Sequence, residues 1–191
     1  MHPKSYHTIL NISGGATKIP GLFGGAKAIL ENDKPDLITG ISSGAILAVP
    51  LALGLFADIE KVVLNLSMND MFVVNPYTKN NKISITGLWR ILRGKPSVGT
   101  SNIIHTLKKL ITPEIFDIYK YGEFPDVEIG VVDFVTGEML YYKIKDLNYT
   151  DYLSLTLASS SIPIIHAPVY FKDKILYDGG VREHIASLHT L

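Results

Sequence analysis

Cysteine is missing from all 191 residues, and that absence removes thiol nucleophiles, a disulfide framework and thiolate metal sites together. Long apolar runs are missing too. The longest, "AILAVPLALGLFA" from Ala45 to Ala57, falls short of the roughly 20 residues a membrane span needs. Pro50 and Gly54 interrupt it, so it is expected as a buried core helix. His7, His105 and His166 stand alone in the sequence, without an H-x-x-x-H or comparable cluster, which argues for structural roles rather than metal ligation. The opening stretch "MHPKSYHTILNISGG" has too short an apolar run for a signal peptide. Between Asp70 and Glu114 no acidic residue occurs, while Lys79, Lys82, Arg90, Arg93, Lys95, Lys108 and Lys109 all fall there. The sign then reverses, with Glu114, Asp117, Glu123, Asp126, Glu128, Asp133, Glu138, Asp146 and Asp151. The net charge is zero, yet the segregation predicts an electrostatically polar molecule.

What is present is enough apolar material, 47% of residues, for one domain with its own core. "YHTILNI" (Tyr6 to Ile12) reads as a buried strand followed by a loop over Ser13 to Pro20. Gly21 to Leu30 is helical in period, and "PDLITGIS" gives a second strand directly before a helical run from Ser43. Further helices are expected at Ala57 to Leu66, at Ile85 to Leu92 with the only tryptophan, at "TSNIIHTLKKLI" capped by Thr100 or Ser101, and at "TPEIFDIYKY" with Pro113 first. "VEIGVVDF" and "MLYYKIKD" flank "VTGE" as a hairpin. A helix over Tyr149 to Ser160 and the pair "PVYF" and "KILYD" close the pattern. Alternating strands and helices predict an α/β fold with a mainly parallel sheet.

One short stretch points to chemistry. Gly40, Ile41, Ser42, Ser43 and Gly44 meet G-x-S-x-G, with Ser42 central. A sharp strand-to-helix turn leaves no room for Cβ atoms on either side, and it places the hydroxyl at a helix N-terminus where developing negative charge is favoured. The competing reading is a serine cap in a glycine turn. Acyl transfer also needs oxyanion donors. "SGGATK" (Ser13 to Lys18) can offer the amides of Gly14, Gly15 and Ala16 as a nest, with Lys18 adding positive charge. A nucleotide loop is the weaker alternative, since neither G-x-x-x-x-G-K-[ST] nor G-x-G-x-x-G is met. For the base, the order Ser, acid, His leaves His184 and His189 open as partners. Asp178, in "LYDGG" at the end of a predicted strand, is the other candidate.

Taken together, "SGGATK", "GISSG", "ASSSIPIIHAPV" from Ala158 and "DGG" at Asp178 resemble the patatin-like phospholipases in order and spacing, from Asn11 to Ala186. Ala16 stands where that family usually has a third glycine, and Ile19 follows Lys18 where it usually has glycine. The resemblance implies a three-layer α/β/α fold and one catalytic domain over residues 1–191, C-terminally truncated or minimal. It also implies a Ser–Asp dyad of Ser42 and Asp178, with an oxyanion loop of Gly14, Gly15, Ala16 and Lys18. The implied activity is cofactor-free hydrolysis of phospholipid or related acyl-lipid esters through an acyl-enzyme. Transfer to another acceptor or amide cleavage by the same elbow, and non-catalytic lipid binding, are the alternatives.

Trp89 with Arg90 and Arg93 suits peripheral contact with an anionic membrane; an ordinary core tryptophan under a solvated helix face is the competing reading. Nucleic-acid binding is not expected, because no binding motif accompanies the charge. Ser43, Ser159, Ser160 and Ser161 read as turn and helix-cap residues. The expected location is cytoplasmic, with peripheral membrane contact.

Overall fold

The computed structural model describes residues 6–15, 18–65, 84, 85, 89, 101–163 and 166–186. Its elements are β1 (Ile9–Ile12), α1 (Ile19–Leu30), β2 (Leu37–Ile41), α2 (Ser43–Ala52), α3 (Phe56–Leu64), α4 (Ser101–Leu110), α5 (Pro113–Tyr121), β3 (Asp126–Asp133), β4 (Met139–Lys143), α6 (Tyr149–Ser159), β5 (Val169–Phe171) and β6 (Lys174–Asp178). Residues 75–83 of the polar loop "NPYTKNNKIS" and the side chains of the expected α4 cap, Thr100 and Ser101, lie outside the described residues.

Local chemistry explains where the boundaries depart from the sequence pattern. β1 starts at Ile9 rather than Tyr6 because the Asp36 carboxylate takes the amides of His7 and Thr8, at 2.9 and 3.1 Å. α1 starts at Ile19 with Pro20 in its first turn, where a missing N–H costs nothing. The long apolar run splits in two: Gly54, at φ 69°, ends α2 in the left-handed region, and α3 begins at Phe56. Thr112 caps α5 by accepting from the Ile115 amide, and Asn148 caps α6 by accepting from the Asp151 amide.

The fold is of the α/β class, a six-stranded sheet flanked by helices. β1, β2 and β3 are parallel. The pairs β3–β4 and β5–β6 are hairpins and therefore antiparallel, and β6 also joins β3 antiparallel. The register on β3 decides where the site forms. Ile129 pairs with Gly40 on one flank and Tyr142 on the other, and Val131 pairs with Leu140 of β4 and with Asp178. β2 and β6 therefore share the flank opposite β4. They approach from opposite directions, β2 ending at Ile41 beside Gly130 and β6 ending at Asp178 beside Val131.

The core lies where α2 covers β1, β2 and β3, and where α6 covers β3, β5 and β6 beside it. Ile38, Ile41, Ala45, Ala48, Val49, Ile129, Val131, Leu155 and Ala158 are fully buried there. Phe116 stacks on Tyr152 at 5.2 Å between α5 and α6. The acidic run is partly neutralised by folding: Asp126 is buried against Lys143 (2.9 Å) and Lys145 (3.5 Å), and Asp133 against Lys174 (3.0 Å). Buried carboxylates require such partners. No described helix is long and apolar enough to cross a membrane.

Two glycines let α2 fold back over its own strand. A Cβ on Gly44 would lie 2.2 Å from the Ile12 carbonyl oxygen, and one on Gly40 would lie 2.6 Å from the Gly44 carbonyl oxygen. Neither backbone obstacle can rotate away. Gly40→Ala and Gly44→Ala are each expected to prevent accumulation of folded protein. Gly24→Ala, in the exposed middle of α1 with nothing within 4 Å of the new methyl, is expected to gain roughly 0.5–1 kcal/mol. Urea unfolding of the three variants checks both signs.

Candidate active site

Ser42 sits at the junction of β2 and α2 with φ 57° and ψ −122°. Such a backbone costs a non-glycine residue of order 1–3 kcal/mol and persists only when its surroundings enforce it. The enforcement is visible. The Ser42 amide donates to Ser159 Oγ at 2.9 Å, and the Ser159 hydroxyl donates to the Gly130 carbonyl at 2.7 Å. On the helix side, the Ala45 amide donates to the Ser42 carbonyl at 3.0 Å. The side chain is thereby aimed across the gap between the two strand ends, and Ser42 Oγ donates to Asp178 Oδ2 at 2.7 Å.

Asp178 is held as tightly. Its amide donates to the Ser161 carbonyl (3.0 Å), and its Oδ1 accepts from the Gly180 amide (2.7 Å). Ser42 and Asp178 are both buried, at 8% and 3% exposure. Burial pushes the Asp178 carboxyl above the usual carboxylate range; the bonds from Ser42 and Gly180 and the nearby His184 pull the other way without cancelling it. A carboxylate in this setting takes a proton more readily than a surface aspartate does.

Ser42 and Asp178 open into a cleft of about 550 Å³ lined also by Gly14, Gly15, Lys18, Ile162, Gly180, Val181 and His184. Gly14 lies against the serine; a Cβ there would come within 3.1 Å of Ser42 Cβ. The Gly14 and Gly15 amides of this loop are engaged within the protein. Gly14 donates to the His184 carbonyl (3.1 Å) and Gly15 to Ser43 Oγ (2.8 Å). Ile162, on the cleft wall, donates its amide to Nδ1 of the buried His166 (3.1 Å), whose proton affinity burial lowers.

Of the residues singled out in the sequence, the fold brings together Ser42, Asp178, Gly14, Gly15, Lys18 and His184, with Gly40 and Gly44 packed behind the elbow. Ser42 Oγ points to Asp178, not to the imidazole of His184, which lies exposed at the cleft edge. Trp89 is 53% exposed. Ala16, Arg90, Arg93 and His189 lie outside the described residues. Two serines read as turn and cap residues do more: Ser43 takes the Gly15 amide and Ser159 takes the Ser42 amide. Their partners are 28 and 117 positions away, and no local pattern carries such information.

A family model described as patatin-like phospholipase matches residues 10–186. Among solved structures, VipD from Legionella pneumophila superposes with a TM-score of 0.57 at 14% identity, over 92% of this chain and 46% of that one. The chain thus spans about half the length of that neighbour. Among curated proteins none matches.

The buried carboxyl has a measurable signature. Because its proton is held more tightly in the folded chain than in the unfolded one, its contribution to stability is full below the unfolded pKa of about 3.9 and is lost as pH rises through the raised folded value. Asp178→Asn is therefore expected to melt at or above the wild-type temperature at pH 7, with the difference vanishing below about pH 4. Calorimetry across that range checks it; a variant less stable than wild type at every pH refutes the assignment of burial as the dominant effect.

Proposed function

The chain belongs to the patatin-like phospholipase family, and on that footing we propose that it is a serine lipid acyl hydrolase cleaving ester bonds of phospholipids or related acyl lipids. The observation that carries this reading is the 2.7 Å bond from the strained Ser42 to the buried Asp178.

In the proposed reaction, Asp178 takes the Ser42 hydroxyl proton as Oγ bonds to the ester carbonyl carbon. The tetrahedral oxyanion then collapses, the ester C–O bond breaks, and the leaving alcohol receives the proton from Asp178. Water attacks the acyl-enzyme with Asp178 again as base; the Oγ–acyl bond breaks, the fatty acid leaves, and the proton returns to Ser42. The amides of Gly14, Gly15 and Ala16 are the proposed oxyanion donors, with Lys18 and the N-terminus of α2 favouring the same charge. Gly14 and Gly15 must exchange their present acceptors for the substrate oxygen. Every proton has a protein group to occupy, so the scheme uses no cofactor. Trp89, half exposed, is the described part of a proposed peripheral contact with anionic membrane, with Arg90 and Arg93 beside it in sequence, for a protein acting in the cytoplasm.

A fluorophosphonate probe is expected to label Ser42 and no other serine, and Ser42→Ala is expected to lose labelling together with about a thousandfold or more of phospholipid hydrolysis. Peptide mass spectrometry and a fatty-acid release assay read the two effects. If folded wild-type protein neither labels nor hydrolyses, yet binds vesicles as well as Ser42→Ala does, the lipid-binding reading replaces this one. The hydrolysis rate should also fall as pH drops through the Asp178 pKa, which burial raises above the ordinary aspartate value; a rate that stays level down to that ordinary value would show that another group is the base.

A further inference from the structure

Three consecutive serines stand where α6 ends, Ser159 as its last residue and Ser160 and Ser161 just beyond, and they do not behave alike. The Ser160 hydroxyl donates to the Thr156 carbonyl (2.8 Å) and that of Ser161 to the Leu157 carbonyl (2.8 Å). Both bonds stay within the helix end. Ser159 instead reaches out of the helix, donating to the Gly130 carbonyl of β3 and accepting the Ser42 amide. It is fully buried, so no water can substitute for either contact without new space being opened. Two residues on, the Ser161 carbonyl accepts the amide of Asp178.

We infer that Ser159 is a positioning residue for the reaction of Ser42: its hydroxyl fixes the orientation of the peptide that leads into the nucleophile. This rests on the hydrolase reading above. The Ser42 backbone at φ 57° and ψ −122° lies outside the basins that a serine adopts unaided, and turning the 41–42 peptide would swing Oγ away from Asp178. One hydroxyl opposes that rotation by joining the peptide to β3, the strand against which Asp178 is also registered. Nucleophile and base are thus held by the same turn, Ser159 to Ser161, through a side chain in one case and a carbonyl in the other. Small misplacements of reacting groups cost rate far more than affinity.

The test compares Ser159→Ala with Ser160→Ala, which deletes a hydroxyl one residue on that bonds only within the helix. Ser159→Ala is expected to lower kcat about 10- to 100-fold with KM within about twofold, and to speed hydrogen exchange at the Ser42 amide while the interior of α2 stays protected. Ser160→Ala should match wild type in all three readouts. Ser159→Cys, which fills the space with a weaker acceptor, should fall between, and it replaces Ser159→Ala if that variant does not fold. Unchanged kcat and unchanged Ser42 exchange in the Ser159 variants overturn the inference, as does an equal loss in Ser160→Ala. If wild-type protein releases no fatty acid, the hydrolase reading fails, and exchange at Ser42 still decides the positioning claim: faster exchange supports it and unchanged exchange overturns it.

Discussion

Everything at the site depends on β2 and β6 meeting end to end along one flank of β3. The pairing of Ile41 with Gly130 and of Asp178 with Val131 leaves the two strand ends facing one another across adjacent β3 residues. A serine following the first strand and an aspartate closing the second are then neighbours without any loop having to bring them together. Backbone pairing, which tolerates little slippage because every residue of β2 is buried, sets the distance between Ser42 and Asp178.

The cost of this arrangement is concentrated in a few residues. Ser42 adopts a backbone region that side chains avoid, and Asp178 is kept where burial opposes its charge. Each is held in place by hydrogen bonds to backbone or side-chain atoms of other segments, and the glycines at 40 and 44 remove the atoms that would keep α2 from closing over β1. Rigidity of the surrounding core is what makes the strain sustainable. α2 and α6 bury nearly all their apolar residues against the sheet and against each other, so rotation of the elbow would disturb packing on two elements at once.

Much of this was legible in the sequence, for reasons that are local. G-x-S-x-G reports a steric requirement of a single turn, and the strand periodicity before it reports burial on both faces. The β3–β4 hairpin declared itself by β-branched and aromatic runs about a glycine turn. What could not be read was anything fixed by pairs distant along the chain: that Asp178 would register against Val131, that Asp36 would shorten β1 by taking two amides, or that one of three consecutive serines would reach to residue 42 while its neighbours bonded to their own helix. Those facts belong to topology. A family resemblance supplied the pairing of Ser42 with Asp178, where spacing alone had left His184 as an alternative.

The bond from the Gly14 amide to the His184 carbonyl joins the loop after the first strand to the last described turn, 170 residues on. Any ligand oxygen that claims that amide competes with the carbonyl already there. For such a ligand, binding and the seating of the turn at His184 would be linked with opposite sign, and linkage is reciprocal. Whatever holds residues 183–186, such as the bond from the Tyr141 hydroxyl to Glu183 (2.6 Å), would oppose such a ligand by the same factor by which the ligand would loosen the turn. An oxygen bound at Gly14 would thus compete with a turn that a hydroxyl outside the cleft lining, that of Tyr141, helps to hold.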